Sequence, residues 1–363
     1  MSHTEERLSA LRARMGEEGV DLVVLGPGAH MQWLLGFVPH ADERPCLLCV
    51  SESGAALLMP ELNAEGSRRG TDLPFHEWSD ADGPEGAFDR LVAESGVSGA
   101  ARITLDETMR ADFAALVQDA LPDAERQFTA STIGLLRMQK DDDEYAVLKR
   151  NARLADQAMQ AGWAAMKPGM TELEVAEVIR ARFSALGASP LFNIVGAGGN
   201  GAMPHHHAGE TVLRSGDAVV MDIGAGMGGL SSDITRMAVL GTPPEGYLEV
   251  HAIVESAVQA AMAAARPGVQ AKDVDAAARG VITEAGYGPN FLHRTGHGLG
   301  IEVHEPPYLT SVSETVLAPG MVFSIEPGIY LPGRFGIRLE EIVILRADGP
   351  EILSALPRDP KMI

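Results

Sequence analysis

A chain of 363 residues exceeds what one ordinary core of ~100–200 residues needs, and predicts two domains or one large duplicated one. With 45% apolar and 22% charged residues it has the make-up of a soluble globular protein, which excludes collagen-like, disulfide-stapled and disordered classes. Its 29 Lys+Arg against 50 Asp+Glu give a net charge of -21, so neither nucleic acid nor an anionic membrane is expected as a partner.

The first residues, Met1 to Leu11, read as the start of an acidic amphipathic helix, without the basic and long apolar regions of a signal peptide. No run approaches the ~18 uninterrupted apolar residues of a membrane span, and a cytoplasmic location is expected. Residues 1–131 alternate short strands and helices, with strands at Asp21–Gly26, Pro45–Val50 and Ala55–Pro60 between Gly/Pro/Asp turns, which predicts an α/β domain. Cys46 and Cys49 form a CxxC, but strand periodicity points them to opposite faces and there is no second pair, so both are read as core thiols. Trp33 and Phe37 are read as core residues too.

Residues 132–363 form the second predicted domain. Asp141-Asp-Asp-Glu144 opens a long helix with Tyr145, Leu148, Ala152, Ala155, Met159 and Met166 roughly on one face. Thr171 and Glu174 supply a capping box for the next, whose Val175, Val178, Ile179 and Phe183 recur at helical spacing before Gly187. The grammar then repeats. Pro267-Gly268, Val274, Ile282, Gly286 and His304 follow Pro168-Gly169, Val175, Phe183, Gly187 and His205 by 99 residues, while Gly320, Glu326 and Gly328 follow Gly216, Asp222 and Gly224 by 104. Matched breaks and polar residues in one order predict an internal duplication, with polar positions of both halves facing one central cleft.

Each half carries a hairpin with paired acids. Asp222 and Asp233 flank a Gly-rich turn and are expected to face each other across two strands; Glu326 and Glu340 flank a turn centred on Gly333 and are expected to do the same. Like charges on apolar strands must either protonate or hold cations, and four converging carboxylates favour a pair of divalent ions. His297 supplies an imidazole, and Gly296, Gly298 and Gly300 around it permit close backbone approach. Of the run His205-His206-His207, alternation lets at most two residues address the cleft, His205 being the favoured one. Arg338 shares the face of Glu340 and is placed to orient carboxylates; His293 is a candidate support for His297; Tyr330 either donates to a substrate or packs.

The motifs Met-Asp222-Ile-Gly, Ser-Asp233-Ile-Thr-Arg, Gly-His297-Gly-Leu-Gly, Ile-Glu326-Pro-Gly-Ile-Tyr and Ile-Arg-Leu-Glu340-Glu occur here in the order found in the pita-bread metallopeptidases. The chain resembles, over essentially its whole length, their Xaa-Pro aminopeptidase and prolidase branch. The resemblance implies an α/β architecture: an N-terminal creatinase-like domain followed by a duplicated pita-bread α+β catalytic domain. It implies that Asp222 and Asp233 bind one ion, that Asp233 and Glu340 bridge, and that His297 and Glu326 complete the second. It also implies attack by a hydroxide held between the ions, Glu326 as general base, and His205 and His304 as substrate-side histidines. Many relatives carry Glu-Asp where this chain reads Glu340-Glu341; alternation puts Glu341 on the other face, so no ligand should be lost. Manganese is the common ion of the family, with zinc, cobalt or iron able to use the same atoms, and a homodimer is implied.

The leading expectation is an aminopeptidase acting on short peptides with proline in second position. The runner-up is prolidase, the Xaa-Pro dipeptidase, which needs a cation for the free carboxylate of its substrate. Some prolidases carry a basic residue shortly after the His-Glu pair, whereas His304-Glu-Pro-Pro-Tyr308 is uncharged. Methionine aminopeptidase would leave residues 1–131 unexplained. Intact ligand positions argue against a metal-free creatinase-like hydrolase and a catalytically dead scaffold, but not against a family lyase acting on a small zwitterion.

Overall fold

The apolar runs of the first third are short and buried on both faces, the pattern of strands covered by helices. In the computed structural model, which describes residues 3–363, they form one sheet. Its strands are β1 (Leu22–Leu25), β2 (Leu47–Ser51), β3 (Ala55–Pro60), β4 (Phe75–Trp78), β5 (Arg102–Leu105) and β6 (Glu125–Phe128), in the order β4-β3-β2-β1-β5-β6. The β1–β2 and β2–β3 pairs are antiparallel, and the other pairs parallel. The helices are α1 (His3–Glu18), α2 (Ala29–Leu35), α3 (Glu61–Ser67), α4 (Glu85–Glu94), α5 (Ala111–Ala120) and α6 (Ile133–Met138). Phe88 and Leu91 of α4 and Phe113 and Val117 of α5 pack on Leu22, Val24, Leu58 and Ile103 of the sheet. Cys46 and Cys49 are both buried and free, and burial raises both thiols far above the usual range, as inert core residues require. The chain divides into two units, Met1–Arg137 and Met138–Ile363.

The second unit opens with α7 (Asp142–Ala165) and α8 (Glu172–Ala185), each started by a capping box, Asp141 with Glu144 and Thr171 with Glu174. Their apolar faces, including Ala155, Met159, Val175, Ile179 and Phe183, pack on Val219, Met221 and Ile223. Those three belong to β8 (Ala218–Met227), which pairs with β7 (Ser189–Ala197), β9 (Leu230–Ser231) and β10 (Ile234–Val239). The second half has α9 (Tyr247–Ala264) and α10 (Ala271–Glu284), then β11 (Gly296–Gly298), β12 (Glu305–Leu309), β13 (Val322–Ile325), β14 (Gly328–Leu331), β15 (Phe335–Arg338), β16 (Glu341–Arg346) and β17 (Gly349–Ile352). A terminal strand, β18 (Lys361–Met362), returns to pair with β10.

The duplication is visible in backbone contacts. α8 and α10 are separated by 99 residues at both ends. The Thr171–Val212 bridge of the first half recurs as Gln270–Val316 in the second. Likewise Gly169 N–H donates to Leu213 O, and Gly268 N–H to Leu317 O.

Candidate metal centre

β8 and β10 carry the first pair of acids, in a register different from the one expected. Asp222 lies opposite Thr235, and Ile223 opposite Ile234, so Asp222 and Asp233 are diagonal neighbours rather than facing ones. The turn decides this. Gly228 and Gly229 both have positive φ, 64° and 79°, and close a two-residue hairpin in which Met227 pairs with Leu230. Centring the hairpin on these two residues shifts the partner of Asp222 by two positions, which keeps Asp233 on the same face. In the second half Ile325 pairs with Glu341 and Gly328 with Arg338, a register in which Glu326 and Glu340 face each other as expected.

His297 sits in the middle of β11. A Cβ on Gly296 would fall 1.9 Å from Ser324 O and one on Gly298 2.2 Å from Pro306 O, so only glycine lets the neighbouring strands close on this histidine. His297 Nδ1 donates to Gly298 O (3.0 Å), which leaves the Nε2 lone pair facing Glu326 Oε1 at 3.1 Å and Asp233 Oδ2 at 3.8 Å. Donor atoms of Asp233, His297 and Glu340 lie within 4.8 Å of one another, and all three residues are buried.

The electrostatics of this cluster are those of a cation site. Desolvation, then the charges of Glu340, Asp222 and Glu326, push the Asp233 carboxyl well above its usual range; desolvation, then Glu326 and Asp222, do the same to Glu340. Glu326 is also penalised by desolvation, but its hydrogen bond with His297 and the nearby charges hold it at about 2. Asp222 Oδ1, Asp233 Oδ1 and Glu340 Oε1 are buried without a hydrogen-bond partner. Three orphaned carboxylate oxygens and an imidazole lone pair pointing into one space are the donor set of a divalent-metal centre, and the residues fit such ions.

Sequence reasoning missed two hydroxyls that hold the ligands. Thr235 Oγ1 donates to Glu340 Oε2 (2.8 Å) and accepts from Arg338 Nε (3.1 Å). Ser324 Oγ accepts from His297 N–H (2.9 Å) and donates to Glu326 Oε1 (3.0 Å). Each lies two residues from an acid in strand, on the same face, which is the signal that could have found it.

Arg338 is buried and donates to Asp222 Oδ2 (2.5 Å) and to the Tyr330 hydroxyl (2.8 Å). That hydroxyl donates in turn to His293 Nε2 (2.8 Å), and His293 Nδ1 donates to Arg294 O (2.7 Å). Tyr330 is thus placed behind Arg338, buried, with its hydroxyl engaged on both sides. Glu341 points away from the centre to the guanidinium groups of Arg236 (2.9 Å) and Arg358 (3.0 Å).

The cluster floors a cleft of 910 Å³ that is also lined by His205, His207, His293 and His304. His206 turns the other way, 2.7 Å from the buried Glu172, which also accepts from Ala197 N, Asn200 Nδ2 and Gly209 N. The His304 ring lies 4.1 Å from that of His297, and desolvation followed by the charges of His297 and Arg294 brings it down to about 4. Beside it, buried Glu305 pairs with Lys140 (2.6 Å) and accepts from Glu302 N, which fixes the turn carrying His304.

Buried carboxylates and histidines from two matched hairpins, facing one cleft, define the class: a metal-dependent hydrolase built on a duplicated α/β unit. The model of metallopeptidase family M24 matches residues 146–347, and that of the creatinase/prolidase N-terminal domain residues 7–139. The chain belongs to metallopeptidase family M24. It is 32% identical to the Xaa-Pro dipeptidase of Pyrococcus furiosus over 98% of this chain and 99% of the relative. Among solved structures, dipeptidase PepE of Mycobacterium ulcerans superposes with a TM-score of 0.95 at 34% identity, covering 100% of this chain and 98% of the other. An X-Pro aminopeptidase of Thermotoga maritima superposes with a TM-score of 0.84 at 31% identity, covering 98% and 99%.

Proposed function

We propose that this chain is an Xaa-Pro dipeptidase whose centre holds two divalent ions. The observation that carries the metal part is the set of orphaned, buried oxygens of Asp222, Asp233 and Glu340 around the Nε2 lone pair of His297. Relatives matched end to end and named dipeptidases support the substrate class over the aminopeptidase that the uncharged segment after His304 had suggested.

Asp222, Asp233, His297, Glu326 and Glu340 would hold the ions, and an oxygen-rich set of this kind suits manganese. Bound there, the ions supply Lewis acidity and a nucleophile at neutral pH. Glu326, held ionised, accepts the proton of the attacking water. His205 and His304 line the cleft outside the ligand cluster, where they polarise the scissile carbonyl and assist proton delivery to the departing proline nitrogen. Arg338 fixes the Asp222 carboxylate, and Tyr330 and His293 fix Arg338.

The test is hydrolysis of Ala-Pro and Ala-Pro-Ala side by side by the manganese-loaded protein. Cleavage of Ala-Pro with little or none of the tripeptide is expected. Cleavage of the tripeptide alone would reinstate the aminopeptidase, and turnover of neither with both ions bound would favour the lyase.

A further inference from the structure

Three arginines line the cleft, and two are already engaged. Arg338 is held by Asp222, Thr235 and Tyr330, and Arg180 pairs with Glu177. Arg294 differs. Among the described residues no carboxylate pairs with its guanidinium, which lies 4.5 Å above the centre of the Tyr308 ring. Tyr308 stands in β12, four residues beyond His304, and the Arg294 charge acts on the His304 ring. The cation therefore sits on the His304 side of the centre, with one face against an aromatic shelf that restricts its plane and leaves its N–H edge available.

An uncompensated guanidinium lining a cleft whose other charged groups are mainly acidic is a receptor for an anion. The chemistry of the site limits which anion: the bond broken lies at the carboxylates, and His304 attends the departing side. We infer that Arg294, seated on Tyr308, receives the free α-carboxylate of the residue released from a dipeptide. This inference rests on the dipeptidase reading, and it supplies from a different strand the cation that the uncharged segment His304 to Tyr308 lacks. It makes Arg294 the residue that measures substrate length, because a tripeptide offers an amide where a dipeptide offers a charge.

The experiment compares wild type, Arg294→Met, Arg294→Lys and Tyr308→Leu, all manganese-loaded, on Ala-Pro and on its C-terminal amide, with calorimetric binding of proline and prolinamide as a readout independent of turnover. Wild type should prefer the acid. Arg294→Met should raise KM for Ala-Pro about 10- to 100-fold with kcat within about threefold, leave the amide unchanged and lose proline binding. Lysine should recover part of the loss, and Tyr308→Leu should raise KM for the acid by a smaller factor. An equal loss on acid and amide, or an unchanged KM for Ala-Pro, would overturn the assignment while leaving the dipeptidase intact. A wild type that cleaves only Ala-Pro-Ala would overturn both.

Discussion

Asp233 shows how a single side chain can be defined by its neighbours. It follows β9, approaches His297 at 3.8 Å, and has one oxygen with no protein partner. Removing it takes a donor from the point where the two hairpins meet. Asp233→Ala is therefore expected to lose bound metal while keeping its fold, checked by elemental analysis beside circular dichroism; full metal content in the variant would contradict the shared-ligand role. Thr235 offers a subtler case. Without its hydroxyl, Glu340 Oε2 loses its donor and Arg338 Nε its acceptor. Thr235→Val should lower kcat/KM by about 10- to 100-fold, with Thr235→Ser close to wild type, and equal activity of the two variants would show that the hydroxyl is dispensable. The acids and His297 were legible in the sequence because charge on an apolar strand demands an explanation. Thr235 and Ser324 were not, because a hydroxyl among strand residues is unremarkable until its partner is known.

At the scale of elements, periodicity and capping signals placed α7 and α8 to within a residue, and the turn residues fixed what periodicity could not. The mismatch at Asp222 arose from taking the midpoint between two acids as the centre of a hairpin, when the paired positive φ of Gly228 and Gly229 sets it elsewhere. The loop after β7 was harder to read. His205, His206 and His207 lie in no strand, and their alternation is enforced by Glu172, the first residue of α8, whose buried carboxylate gathers His206 and backbone N–H groups on both sides of it. Nothing about a glutamate at the start of a helix announces that task, since such positions are commonly filled by acids for the helix dipole alone. Glu172→Leu would strand several buried donors at once. It is expected to cost about 2–4 kcal/mol in denaturant unfolding and to lower kcat with metal content unchanged. A stable variant with full kcat would show that the His205 loop holds itself.

For the whole molecule, the consequence of folding two acidic hairpins onto each other is a dependence of stability on what neutralises them. Net charge and duplication were legible from composition and from the recurring Pro-Gly, Gly and His positions, but the degree of burial at the junction was not, because it depends on contacts between segments about a hundred residues apart. In the metal-free protein Asp233 and Glu340 bind protons more tightly when folded than when unfolded, where carboxyl groups titrate near ~4. Their stabilising contribution is thus complete below about pH 4 and drains away as pH rises through the elevated folded values. Glu326 acts in the other direction: held at about 2, it stabilises above the unfolded value and loses that contribution as pH falls toward 2. Divalent ions replace the missing protons, and their binding strengthens as competing protons leave. Thermal unfolding with manganese and with a chelator should therefore diverge between about pH 5 and about pH 8, the metal-free protein losing Tm relative to the loaded one as pH rises. A gap that stays constant or narrows toward pH 8 would mean that the carboxylates do not repel one another in the empty centre, and that ion binding there is not driven by their burial.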